Sequence, residues 1–472
     1  MKIDAVVIGA GPAGLAFACR FAEKDKSVVL MEASPFVGGL ARSISLWNST
    51  VDLGPHRFFS SDPVVNKYWH SHIREDFEFI NRITRIYYKG KFYNYPLRAW
   101  NAFSNLGIID SVVAFFSFLK VSIFKLKQDG SLETWVSSRF GKKLFEIFFK
   151  TYTEKVWGID CKNIDADWAS QRIQGLTLWK AIKGALMSNK GNKIKTLVDE
   201  FAYPKGGNSL FYERQTEFLA KKNAQIRLKD PVRRVVIENM KVIGVENNKG
   251  EFVETNLVIS SMPLTILVQG LPNVPFRVLE ATKKLRFRNT ILVYLLINGS
   301  NLFPDQWLYI HDKTLKHGRI TNFNNWSNSM IGDTSKTILC MEFWCYDEDV
   351  IWESSDKVLI ELAISEIKKT GLINENEILD GHVIKLSKSY PVYEKGYSQH
   401  LQIITDYLDQ IEGLFPIGRY GSFKYNNQDH SILMGIVAAD EILQSKKPQL
   451  WAINTETTYQ EAANSKVLKE DS

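Results

Sequence analysis

The sequence predicts an α/β fold: a Rossmann-like dinucleotide-binding domain, an inserted helical domain and an antiparallel-sheet substrate domain. Three observations carry this. A strand, a glycine-rich turn, a helix and a second strand stand at the start, over residues 3–34. Helical patterning then fills most of 100–200. Strand patterning returns over 227–263 and 285–345, and a last strand and helix follow from 412.

In order, "IDAVVIG" (3–9) is a short apolar run of the length of a buried parallel strand. "AGPAGLAFACRFAEKD" reads as turn and helix, and "SVVLMEAS" as the second strand of a βαβ unit. Gly9, Gly11 and Gly14 form G-x-G-x-x-G, and Glu32 ends the next strand about twenty residues on. Gly9 allows the turn, Gly11 lets backbone approach a pyrophosphate, and Gly14 lets helix and strand pack closely. The helix N-terminus then faces phosphate, and Glu32 accepts from a ribose diol. "VGGLARS" (37–43) follows, with Gly38, Gly39, Leu40 and Arg42 placed to continue phosphate contact along an extended dinucleotide.

Residues 76–100 alternate aromatic with basic and polar residues, as a hairpin turning at Lys89-Gly90. "LGIIDSVVAFFSFLKVSIF" (106–124) is nearly long enough to span a bilayer but holds Asp110 and Lys120. It reads as a buried or half-buried helix. A second reading is an interfacial helix, peripheral to the inner face of a membrane, with Lys120, Lys125 and Lys127 at the headgroups. Strands resume with turn signals at Asn239 and at Asn247-Asn248-Lys249-Gly250. "EGLFPIGRYG" (412–421) is a strand into a tight turn, and a helix is expected from Ser431 to Gln444. The expected boundaries give the dinucleotide-binding domain three parts, 1–75, 201–275 and 401–446. A substrate and helical domain takes 76–200, a substrate sheet 276–400, and a tail 447–472.

The 472 residues are 45% hydrophobic and 24% charged, enough for two or three domains. A net charge of +7, without any Lys/Arg block, suits an anionic ligand and excludes a nucleic-acid surface. Cys19, Cys161, Cys340 and Cys345 show neither metal-ligand nor disulfide spacing, so reduced thiols in a cytoplasmic protein are expected. With the first strand at Ile3, no signal peptide is expected.

The "GAGPAG…E…GG…R" arrangement resembles the FAD domain of glutathione-reductase-like flavoproteins. Within these it is similar to the branch holding amine oxidases, protoporphyrinogen oxidases and UDP-galactopyranose mutases. That resemblance implies FAD. It also implies that Gly418 and Arg419 of "GRYGSF" (418–423) contact the pyrophosphate, with Val232, Ser431 and Ile432 as further cofactor contacts. The helix at Ser431 would aim its positive end at the flavin.

Several stretches resemble UDP-galactopyranose mutase in particular. "LGPHRFF" (53–59) implies that His56 lies against the flavin, a role compatible with a plain backbone role for the loop. "KGKFYNYPL" (89–97) implies a substrate contact at Asn94. "TYTEKVWG" (151–158) implies that Tyr152 stacks on uracil and Trp157 lines the sugar pocket. "SQRIQG" (170–175) and "GRITNF" (318–323) place the family's diphosphate arginines at Arg172 and Arg319. "SYPVY" (389–393) and "FKYNN" (423–427) place its diphosphate tyrosines at Tyr390 and Tyr425. Guanidinium forks and tyrosine hydroxyls are the donors that a nucleotide diphosphate requires. The chain departs from the mutase pattern at Gln174, at "LTLWKAI" (176–182), at "YNNQDH" (425–430) and at "VYEKGYSQHL" (392–401), the last closer to protoporphyrinogen oxidase.

The first functional reading is therefore a mutase-like flavoenzyme interconverting the pyranose and furanose forms of a nucleotide-activated sugar for cell-surface polysaccharide. The resemblance implies attack on the anomeric carbon by reduced flavin N5, with NAD(P)H or a reductase as electron donor. His56, Trp157, Arg172, Arg319, Tyr390 and Tyr425 would form the catalytic set. The second reading is an oxidoreductase of the amine oxidase or protoporphyrinogen oxidase type, and a third is a flavin-binding protein without turnover. The sequence leaves the oligomeric state open.

Overall fold

A computed structural model describes residues 2–95, 97, 99–166, 200–373 and 377–454. The first βαβ unit opens a five-stranded parallel sheet in the order Leu414–Pro416, Val258–Ser260, Ala5–Ile8, Val28–Met31, Ala224–Arg227. "AVVI" and "VVLM" are buried at every position because both faces of this sheet are covered. The helices Pro12–Ala22 and Gln428–Leu443 cover one face. A three-stranded antiparallel sheet, Val232–Glu238, Lys241–Asn247 and Phe252–Glu254, covers the other. The two helices touch at Gly435, where a Cβ would lie 2.3 Å from the Ala13 carbonyl oxygen. The last helix begins three residues before the expected Ser431, because Asn427 and His430 cap it reciprocally.

The second body is a seven-stranded sheet in the order Ile378–Pro391, Phe287–Asn298, Lys336–Cys345, Arg319–Asn322, Trp307–Ile310, Thr84–Tyr88, Lys91–Asn94. The expected hairpin at Lys89-Gly90 is present, with both turn residues at positive φ. It lies at the edge of this sheet, paired parallel to Trp307–Ile310, rather than within the helical segment. That segment packs as the helices Ala99–Leu106, Ile108–Ile123, Leu132–Phe140, Lys142–Phe145 and Thr151–Trp157 around a shared apolar core. A π-helical turn, Glu146–Lys150, precedes the last of them.

Asp52, fully buried at the end of the strand Ser49–Asp52, ties these bodies together. Its carboxylate accepts from Ser43 Oγ, Tyr203 Oη and Asn208 Nδ2, each at 2.6 Å, and its carbonyl accepts from Tyr294 Oη at 2.7 Å. Asn208 Nδ2 also donates to the His56 carbonyl at 2.5 Å, which fixes the loop after Asp52.

Burial raises the Asp52 carboxyl to about 6, against the pull of these donors. Its folded-state value exceeds its unfolded one, so the native protein holds this proton more tightly. The group's contribution is complete below about pH 4 and is lost as pH rises through about 6. Asp52→Asn, which sets an amide N–H₂ against fixed donors, should destabilise the fold by about 1–3 kcal/mol at about pH 4. Urea unfolding at pH values from about 4 to about 7 should show that difference shrinking; a growing difference contradicts the assignment.

Candidate functional site: a dinucleotide cradle facing an aromatic and arginine wall

The two bodies enclose a cavity of about 860 Å³. On one side lies the glycine loop. Gly9 takes φ +97, and a Cβ there would lie 2.2 Å from Ser261 Oγ; one on Gly14 would lie 2.0 Å from the Gly9 carbonyl oxygen. Gly11 differs: its backbone is extended, and a Cβ would meet only Gly39 Cα, at 3.9 Å. Its missing side chain therefore leaves free space at the mouth of a helix. Glu32 sits on the rim, accepting from the Ala10 and Ser34 backbone N–H groups at 2.8 Å. Val232, Gly39, Leu40, Gly418 and Ser431 also line the cavity. Gly38 lies behind the loop and donates to the Ala10 carbonyl at 2.8 Å.

The N-termini of Pro12–Ala22 and Gln428–Leu443 both reach this side, supplying two partial positive charges. Arg42 stands outside the lining and donates Nη1 to the Gly39 carbonyl at 3.1 Å; its Nε is buried without a partner, as is Nδ1 of His56. Burial, reinforced by Arg319 and Arg419, lowers His56 to about 3, so the imidazole is neutral at physiological pH. Two helix ends and a glycine gap fit an extended dinucleotide diphosphate. Glu32 and the glycines would hold its adenosine half, and His56 and Ser431 line the cavity beyond them.

The opposite wall belongs to the seven-stranded sheet. Trp307 and Tyr309 on strand Trp307–Ile310, and His311 just beyond it, alternate onto the cavity face. Tyr152 stacks on His311 (centroids 5.2 Å, planes 9° apart) and meets Tyr309 edge-on. Directly across the sheet, Arg319 pairs with Glu342 through two 2.6 Å hydrogen bonds, and its Nη2 donates to Tyr390 Oη at 3.2 Å. Burial alone would lower the guanidinium, but Glu342 holds it well above its usual value. Nη1 makes no hydrogen bond among the described residues. Arg419 lies between the rings of Tyr390 and Tyr425, 4.6 and 4.3 Å from their centroids. Its Nε and Nη1 are bound to the carbonyls of Ser389 and Asn426, so it braces the two tyrosines as well as lining the cavity.

Besides Gly38 and Arg42, three more expected residues stand outside the lining. Trp157 does not line the cavity; it is fully buried behind Tyr390, Tyr393 and Tyr425. Five residues along a helix turn the side chain by about 140°, so Tyr152 and Trp157 cannot face the same space. Asn94 lies outside the lining, and its neighbours Tyr95 and Leu97 face inward instead. Its N–H bonds Asn101 Oδ1 at 2.8 Å. Ile432 is buried in the core under the first helix and does not reach the cavity. Arg172 lies outside the described residues.

Sequence reasoning missed Glu342, Tyr309, His311 and Lys155. The period-two spacing of Trp307, Tyr309 and His311 carries a signal for one shared face; Glu342 has none, since its role comes from cross-strand register. Lys155 is half-buried, with its ammonium bound to the carbonyls of Ile310, Asp312 and His317 at 2.7–3.1 Å. Burial lowers it to about 8, which leaves it charged at neutral pH. It fastens the helix bearing Tyr152 to the sheet bearing Arg319. Arg288 closes the same helix by donating to the carbonyls of Lys155 and Val156.

Fold and site together define a flavin-dependent enzyme with FAD as its cofactor. The chain belongs to the flavin containing amine oxidoreductase family, whose profile matches residues 12–443. Among solved structures it is similar to a reduced UDP-galactopyranose mutase, with TM-score 0.83 and 21% identity over 98% of each chain. A provisionally assigned protoporphyrinogen oxidase from Exiguobacterium sp. 255-15 matches with TM-score 0.73 and 18% identity over 94% of this chain and 100% of that one. A putrescine oxidase double mutant matches with TM-score 0.64 and 14% identity over 94% and 99%. At these identities the likeness establishes the fold. No helix among the described residues is long and apolar enough to cross a membrane.

Gly11→Val should fill the gap in the cradle without straining the loop. Flavin content, read from absorbance at purification, should fall at least about tenfold, while the unfolding midpoint of the flavin-free protein stays unchanged.

Proposed function

We propose that this protein is a flavin-dependent mutase that converts a nucleotide-activated hexose between its pyranose and furanose forms, for cell-surface polysaccharide. The observation that carries the reading is that one cavity is lined by both the dinucleotide cradle and the Arg319, Tyr390 and Tyr425 cluster. Such a cluster suits a leaving group that spreads negative charge over several oxygens. When bound and reduced, the flavin supplies a nucleophile to the anomeric carbon and is regenerated without net redox change. Arg319, through Nη1, and the tyrosine hydroxyls hold the departing diphosphate close enough to return. His56, held neutral in its half-buried loop, orients groups without adding charge. Tyr152, Tyr309 and His311 offer aromatic surface to the nucleoside. NAD(P)H or a reductase partner keeps the flavin reduced.

A second reading, substrate oxidation, is favoured by one feature: the cavity continues into an apolar arm walled by Leu97, Phe103, Phe140, Leu144, Phe148 and Phe149. Such a wall suits a largely apolar substrate.

The pre-reduced holoprotein should interconvert UDP-galactopyranose and its furanose isomer without consuming oxidant, and the oxidised protein should not. Product analysis by chromatography under anaerobic conditions checks this. Tyr390→Phe should lower kcat/KM about tenfold and Arg319→Ala at least about a hundredfold. If a substrate instead bleaches the oxidised flavin and air restores its colour, the oxidoreductase reading replaces the mutase.

A further inference from the structure

The helix Ile108–Ile123 presents an apolar face that no other described residue covers. Ile108 and Ile109 are 84% and 81% exposed, Phe116 61%, and Phe124, just past the helix, 70%. With Val112, Val113, Phe115, Leu119 and Ile123, also exposed, they fill an arc of about 160° around the helix axis. The opposite face is anchored. Ala114 and Phe118 are buried, and Phe118 lies so close to Gly141 that a Cβ there would be 2.7 Å from its backbone nitrogen. Asp110, the single acid on this helix, is paired with Lys143 at 2.9 Å. The chain leaves the helix as Phe124-Lys125-Leu126-Lys127, every residue exposed. Lys120 lies inside the arc near one edge, and Lys125 and Lys127 follow past the helix end, so the face carries positive charge with no facing acid among the described residues.

We propose that this face docks the protein on the surface of a bilayer carrying anionic headgroups, with the helix lying in the interface and the lysines at the phosphates. The helix, at 16 residues, is too short to cross a bilayer, and its apolar arc carries cations near one edge and just past its C-terminal end, the combination of an interfacial anchor. Lys/Arg residues at such a position gain from the negative surface potential of anionic lipid. A contact between two copies of this face would bring like charges together, so the charge pattern favours lipid over a second copy. The preceding helix, Ala99–Leu106, leads directly into it and contributes Ala102 and Phe103 to the cavity lining. The active cavity is thus built next to the docking face. This inference stands whether the cavity isomerises or oxidises its substrate.

Flotation of the FAD-loaded protein with vesicles tests it. The protein should float with phosphatidylcholine vesicles containing phosphatidylglycerol, and less with phosphatidylcholine alone. Raised salt should weaken the association. Ile109→Asn with Phe116→Asn should reduce bound protein at least about tenfold, and Lys125→Glu with Lys127→Glu should abolish the preference for anionic vesicles. Both variants should keep the flavin spectrum of the parent, since the altered residues are exposed. Failure to bind anionic vesicles overturns the proposal. So does a dimer, seen by light scattering, that the Asn variant dissociates while vesicle binding is absent.

Discussion

Asp52 is the knot on which the site's geometry depends. It is a buried carboxylate held by donors from three separate stretches: Ser43 before it, and Tyr203 and Asn208 some hundred and fifty residues later. A carboxylate out of water is costly unless each oxygen is matched by donors, and here they come from Asp52's own hairpin, from a strand paired with Phe77–Asn81 and from the residue ahead of the helix Ser209–Ala220. Satisfying that one group therefore fixes how these elements stand, and the same residue's carbonyl, accepting from Tyr294, joins them to the seven-stranded sheet. The loop bearing His56 follows Asp52 directly and is bound by the same Asn208, so the knot also sets one edge of the cavity.

From that knot the two walls acquire different characters. The cradle side is made of backbone: helix ends, glycines and N–H groups, a surface that recognises phosphate by geometry more than by side-chain identity. The facing side is made of side chains stacked in layers, with Arg319 neutralised by Glu342 and Arg419 held between two tyrosine rings. Pairing Arg319 with a carboxylate across the sheet keeps a cation buried there without a ligand and leaves part of its fork free. The π-helical turn before Thr151 adds a residue to the helix, and Phe148, Phe149, Tyr152 and Thr153 all reach the cavity around it.

What was legible in the chain was what is local. Gly9, Gly11, Gly14 and Glu32 act within one βαβ unit, and their spacing alone places them. Arg319, Tyr390 and Tyr425 were legible through motif likeness, and all three face the cavity. Trp157 and Asn94 were misplaced because a motif preserves residue identity but not phase: one helical step of five, or one strand step, decides which side a ring or amide takes. Glu342 and Lys155 were invisible because their partners arrive by tertiary packing. Glu342 matters only because its strand runs opposite Arg319. Lys155 matters only because three carbonyls, at a distant strand end and the loop after it, converge on it.

The seating of Lys155 has a mechanical consequence. Peeling the helix that bears Tyr152 away from the sheet would break three hydrogen bonds to one ammonium at once. That wall of the cavity therefore behaves as a stiff plate, with the aromatic stack and the Arg319 fork riding on it together. Whatever breathing admits a ligand has to occur along the plate's margins, and the ligand meets a surface already shaped before it arrives.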